Sequence, residues 1–112
     1  MKNKIVTHFY VKEEKKDNNG EAPIYLRITV NGERAEISTN RRVHPEIWDK
    51  ASERVAGRNE PARVINTSLN NLVSKVEKYY SNRDVKDEII SVQQIIAELK
   101  GKGMSQMTLV KS

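Results

Sequence analysis

Apolar and polar residues alternate most regularly between Ile24 and Val30, where Ile24, Leu26, Ile28 and Val30 fall on one side and Tyr25, Arg27 and Thr29 on the other. A period of two is that of a β-strand with one buried face. Asn31-Gly32 follows, the dipeptide that best tolerates the positive φ angles of a type I′ turn, and Glu33 to Thr39 supply a returning strand. A two-residue loop fixes the register, setting Val30 opposite Glu33, Ile28 opposite Ala35, Leu26 opposite Ile37 and Ile24 opposite Thr39. Upstream, Ile5 to Lys12 is rich in β-branched and aromatic residues and is read as a strand pairing with Ile24 to Val30. Phe9 and Val11 are assigned to its core side; a slip of one residue would send His8 and Tyr10 inward instead. The charged run Lys12 to Gly20 between these strands is expected to be an exposed, mobile loop without a function of its own.

Residues 43–61 contain Pro45, Gly57 and Pro61 and are read as an irregular connector whose Val43, Ile47, Trp48 and Val55 cover an end of the sheet. From Ala62 to Arg83 the residues Ile65, Leu69, Leu72, Val76 and Tyr79 recur at three- and four-residue intervals, which is one stripe of a helix. One of Tyr79 and Tyr80 is expected to pack on the sheet and the other to face solvent. Ser91 with Gln94 forms a capping-box signature opening a short helix that buries Val92, Ile95, Ile96 and Leu99 and stops at Gly101. The remainder, to Ser112, reads as a linker. The expectation is an α+β domain: a three-stranded antiparallel sheet packed on one long α-helix, plus a short C-terminal helix. Residues 1–83 are assigned to the domain proper and 84–112 to the short helix and a linker toward a further region.

Composition narrows the function. A chain of 112 residues, 37% hydrophobic and with six aromatic side chains, has room for one thin core and not for a deep enzyme pocket. It has no Cys, so disulfides and thiolate metal sites are excluded, and no segment approaches the roughly 18 apolar residues needed to span a bilayer. A cytoplasmic location is expected. Of the two His residues, neither His8 nor His44 has metal-ligand spacing, and the five glycines form no phosphate-cradling loop, so neither metal nor cofactor is expected. No Ser or Tyr stands in a recognisable setting with a base, and no catalytic residue is assigned.

Twenty Lys and Arg against fifteen Asp and Glu give a net charge of +5, which favours a polyanionic partner. The hairpin register places Tyr25 beside Ser38, Arg27 beside Glu36 and Thr29 beside Arg34 on the face away from the helix, with Asn40, Arg41 and Arg42 beyond. Such an array can enter the major groove of B-DNA, where Arg donates bidentately to guanine and Asn to adenine. It is also what a merely solvated sheet face contains, with Arg27 and Glu36 as an ordinary cross-strand ion pair and Arg41 and Arg42 as a charged strand end.

Ala22-Pro23-Ile24-Tyr25-Leu26-Arg27, the Asn31-Gly32 turn, Ala35-Glu36-Ile37-Ser38-Thr39, Trp48-Asp49 and Ile65-Asn66, within a stretch from Phe9 to Tyr80, resemble the arm-type DNA-binding domain at the N-terminus of mobile-element tyrosine recombinases, the phage-type integrases. The resemblance implies a three-stranded sheet on a helix, with the sheet inserted into the major groove of arm-type sites on double-stranded DNA. It makes the face bearing Tyr25, Arg27, Thr29, Arg34, Ser38 and Asn40 the expected reading surface, with Arg41, Arg42, Lys12 or Lys4 holding phosphates. Strand cleavage in that family belongs to a separate catalytic domain, so this segment is expected to be a non-catalytic fragment that positions the integrase for DNA integration and recombination. The expected partners are duplex DNA, the remaining integrase domains and other protomers. A protein-interaction module contacting protomers or accessory factors is the rival reading.

Overall fold

The structure, a computed structural model, describes residues 5–85 and 91–100. Three antiparallel strands, β1 (Ile5–Val11), β2 (Ala22–Val30) and β3 (Glu33–Val43), lie side by side in that order with β2 central. The turn between β2 and β3 has φ of 50° at Asn31 and 92° at Gly32, as a type I′ hairpin requires. The expected register holds from Val30↔Glu33 through Tyr25↔Ser38, and Phe9 pairs with Leu26 on the core side. Lys4, Gly101 and the stretch to Ser112 lie outside the described residues.

Beyond Tyr25 the pairing departs from expectation. Tyr25 faces Ser38, yet Pro23 faces Arg42, so β3 carries two more residues than β2 across this interval. Asn40 absorbs the excess in the left-handed region at φ 64°, a conformation that Asn tolerates better than most residues. Ile24 and Thr39 are therefore not a ladder pair. Instead the buried Thr39 hydroxyl donates to the Ile24 carbonyl at 2.8 Å, satisfying a backbone acceptor that the bulge would otherwise leave open. The insertion of two residues preserves side-chain parity, so β3 continues to Val43, which is buried opposite Ala22.

The connector is more ordered than its composition suggests. Trp48–Asp49 (β4) and Arg54–Val55 (β5) form a two-stranded hairpin. Asp49 holds its loop, accepting from the Ala51 N–H and the Ser52 hydroxyl at 3.0 Å each, while Glu53 closes it at φ 58°. Trp48, Val43 and Val55 are buried as expected, whereas Ile47 is 42% exposed because it precedes the inward-turned Trp48.

Helix α1 (Glu60–Val85) begins at Asn59, whose side chain accepts from the Ala62 N–H at 3.0 Å, with Pro61 in the first turn. Asn66 on α1 grips β5 through both its amide groups, donating to the Val55 carbonyl at 3.0 Å and accepting from the Val55 N–H at 2.8 Å. Helix α2 (Val92–Leu99) opens with the capping box between Ser91 and Gln94. Its Val92, Ile95, Ile96 and Leu99 join Leu69, Leu72 and Val76 of α1 in one cluster with Phe9, Ile24, Leu26, Ile28 and Val30. Tyr79 and Tyr80 are both half-buried against that cluster, a division different from the one expected of them. Both helices thus contribute to the apolar side of the sheet, and α2 lies against β3 and β2. No helix among the described residues is long and apolar enough to cross a membrane.

Candidate nucleic-acid interface

The opposite face of the sheet consists of three rows, each crossing all three strands. Val6, Thr29 and Arg34 form the row nearest the hairpin turn; His8, Arg27 and Glu36 form the middle row; Tyr10, Tyr25 and Ser38 form the third. Tyr25, Arg27, Thr29, Arg34 and Ser38, the residues expected there from sequence, share this surface. Strand β1 adds Val6, His8 and Tyr10, which alternation places outward once Phe9 points inward; that signal was available in the sequence.

Side chains on this face are organised around two aromatic rings. Tyr10 and Tyr25 lie 6.3 Å apart between centroids, the Lys12 ammonium sits 4.0 Å over the Tyr25 ring, and the Arg27 guanidinium sits 4.8 Å from the Tyr10 ring. Lys15 reaches toward Tyr25 from farther off, at 5.9 Å. Glu36 does not pair with Arg27, although the two are register partners. Its carboxylate instead accepts from the Tyr10 hydroxyl and, at 2.6 Å, from Lys12. Arg27 is therefore not neutralised by its neighbour. Arg34 is exposed and makes no ion pair or hydrogen bond among the described residues.

The other sequence candidates are spread around the rim. Asn40 stands at the bulge, its N–H donating to the Ser38 hydroxyl at 3.1 Å. The bulge carries Arg41 away from the middle row toward α1, where its Nε donates to the Ser68 hydroxyl at 3.2 Å beside an open groove lined by Thr39, Asn71 and Lys75. Arg42 turns toward the β1–β2 connection, donating from Nε to Asp17 at 3.1 Å and from Nη2 to the Lys15 carbonyl at 3.1 Å. The structure thus separates Arg41 and Arg42, adjacent in sequence, and engages both within the fold.

Those contacts give the β1–β2 connection a role that its composition does not suggest. It contains a single 3-10 turn, Glu13–Lys15, and Asp17 gathers the Asn19 N–H at 2.9 Å, the Glu21 N–H at 3.0 Å and Arg42 on one carboxylate. The Glu21 N–H foremost, with help from the Asn19 N–H and Arg42, holds the Asp17 carboxyl below the ordinary carboxylate range. A depressed acid contributes stability at neutral pH that is lost as pH falls through its folded pKa. The Asn19 and Glu21 amide proton resonances are accordingly expected to shift together on acidification, with a midpoint below that of a free aspartate. A midpoint at or above the free value, measured by NMR, would contradict this arrangement.

At the other edge, Glu53 reaches from the β4–β5 hairpin to β1. It accepts from the Phe9 N–H at 2.9 Å and meets the His8 ring at 2.8 Å, while Arg54 lies 5.0 Å from the Phe9 ring on the core side. A carboxylate on the outward N–H of an edge strand blocks further strand pairing there and holds the β1 column of the polar face in place.

A sheet face that carries Arg27, Arg34, Tyr10 and Tyr25 opposite the apolar cluster is compatible with a small nucleic-acid-binding α+β domain. The chain belongs to the Arm DNA-binding domain family, whose profile matches residues 9–96, the arm-type DNA-binding domain of tyrosine recombinases and integrases. That span includes α2 as far as Ile96 as well as the sheet and α1. No curated protein and no solved structure matches the chain. The family is one of DNA binding, not of catalysis.

Proposed function

We propose that the chain recognises arm-type sites on double-stranded DNA by laying the Tyr25–Arg27–Thr29 face in the major groove, and so positions a tyrosine-recombinase integrase of a mobile element for integration and recombination in the cytoplasm. The observation that carries this reading is Arg27, without an ion pair to its neighbour, at the centre of the sheet face opposite the apolar cluster of the helices. Dimensions favour it: three strands spaced about 4.8 Å apart span about 10 Å between the outer two, comparable with a major groove about 12 Å wide. Arg27 and Arg34 meet base edges, Tyr25, Thr29 and Ser38 make methyl, sugar or phosphate contacts, and Asn40, Lys12, Arg41 and Arg42 lie at the rim, where backbone phosphates pass.

Family membership supports DNA binding; the choice of groove draws on the residues together with the resemblance to arm-type domains, and the role in recombination on that resemblance alone. Asp17 engages Arg42, Ser68 engages Arg41 and Glu36 engages Lys12, so each of these three meets phosphate only by sharing its side chain with a partner inside the fold. The recombination chemistry belongs to a core-binding and catalytic region reached through the segment that follows α2. That α2 shares the core of the sheet and α1 supports an arm unit extending past residue 83 to Leu99.

Selection of bound duplexes from a random pool, followed by salt titration on the recovered sequence, tests the proposal. A defined motif whose affinity exceeds that for random duplex, with both affinities falling as salt rises, is the expected outcome. Uniform recovery of all sequences would remove the base-reading role and leave only charge attraction.

A further inference from the structure

We propose that Glu36 reads cytosine, and that Glu36 and Arg27, opposite each other in the middle row, together recognise one G·C base pair. This rests on the groove-reading surface proposed above. A carboxylate at the centre of a DNA-facing surface is unfavourable wherever it meets phosphate; Tyr10 and Lys12 fill part of its acceptor capacity within the fold, and on the DNA side what remains favours a donor. In the major groove only the cytosine N4 and adenine N6 amino groups supply such donors, and adenine adds the N7 acceptor beside its amino group, which a carboxylate repels. Guanine O6 and N7 and thymine O4 repel it as well. Cytosine remains.

The geometry prepares Glu36 for this task. The Tyr10 hydroxyl and the Lys12 ammonium hold its two carboxylate oxygens, one each, so the group is oriented before any base arrives. A carboxylate has about four acceptor positions, and these two contacts leave room for an amino donor. The side chain is 39% exposed, open enough to be reached. Arg27, its register partner, is kept off the carboxylate by lying over the Tyr10 ring. A five-donor fork and a fixed acceptor therefore stand side by side, matching the guanine acceptors and the cytosine amino donor that a single G·C pair presents across the groove.

Selection from a random duplex pool with the parent chain, Glu36→Gln and Arg27→Ala tests the assignment. Gln preserves size and removes the charge, and an unchanged urea midpoint verifies the fold. The parent is expected to recover a motif with a G·C pair at which Glu36→Gln loses about tenfold or more of its cytosine preference, turning toward adenine, with other positions unchanged. Arg27→Ala is expected to relax the guanine of that same pair. Parental motif recovery by Glu36→Gln with tighter binding to every sequence would reduce Glu36 to a background charge and overturn the proposal. So would an equal flattening of all positions, which would show that Glu36 acts only by holding Tyr10 and Lys12, or an Arg27→Ala loss at a different base pair. A parent that recovers no motif removes the groove reading itself and this assignment with it.

Discussion

Arg27→Ala is expected to weaken binding to the preferred duplex by about 1–3 kcal/mol while reducing binding to random duplex much less. The reason lies in what surrounds the guanidinium. Its register partner Glu36 is held by Lys12 and Tyr10, and the Tyr10 ring supports Arg27 from one side, so little reorganisation separates the free side chain from one aimed at a base. Arg27→Lys is expected to recover the charge but not the preference, because an ammonium lacks the bidentate fork that matches guanine. Fluorescence anisotropy on the selected site and on a scrambled duplex separates these effects. Equal losses on both duplexes would show that Arg27 contacts phosphate and not a base edge.

Leu26→Ala, one residue away on the same strand, should act entirely differently. Leu26 is fully buried at the centre of β2, in the cluster that also contains Phe9, Ile37 and the inner residues of both helices. Truncation in such a site removes transfer free energy and leaves a cavity, with a cost of about 2–5 kcal/mol. A domain of this size has only about 5–15 kcal/mol of net stability, so the urea midpoint should fall sharply and DNA binding should fail through unfolding. Arg27→Ala, by contrast, should leave the unfolding free energy within about 0.5 kcal/mol of the parent. A Leu26→Ala loss below about 1 kcal/mol would show that the helices do not cover the sheet as described.

These neighbouring residues also show what could be read from sequence. The alternation that separates Leu26 from Arg27 is written into residues 24–30, and Asn31-Gly32 fixes which residues of β3 face them, because a two-residue turn permits one register. The same reasoning extended to β1 was enough to place Val6, His8 and Tyr10 beside Arg27, although they were not among the candidates. Stripe and capping signals identified both helices for similar reasons of local chemistry.

What sequence did not reveal depends on contacts between distant segments or on unusual backbone. The bulge hangs on Asn40 in a left-handed conformation, and no local pattern separates this Asn from an ordinary strand end. Each strand of the β4–β5 hairpin has only two residues, too short for any period, and Glu53 occupies a positive-φ position where Gly or Asn would have marked a turn. The Arg27–Glu36 ion pair that a merely solvated face would contain does not form; Lys12 and Tyr10, 24 and 26 residues from Glu36 in sequence, reach the carboxylate instead. Arg42 and Arg41 were candidates for phosphate because adjacent cations at a strand end resemble a clamp; both remain exposed, but Asp17 and Ser68, remote in sequence, draw them to different sides of the strand.

The central claim is that DNA meets the outer face of the sheet. NMR titration of the labelled chain with its selected duplex tests it most directly. The account predicts that the largest perturbations fall on Val6, His8, Tyr10, Tyr25, Arg27, Thr29, Arg34, Glu36 and Ser38, with Lys12 and Lys15 at the rim, while the outward face of α1 stays unchanged. Perturbations centred on α1 around Val64, Ser68, Asn71 and Lys75, with the sheet face silent, would contradict it.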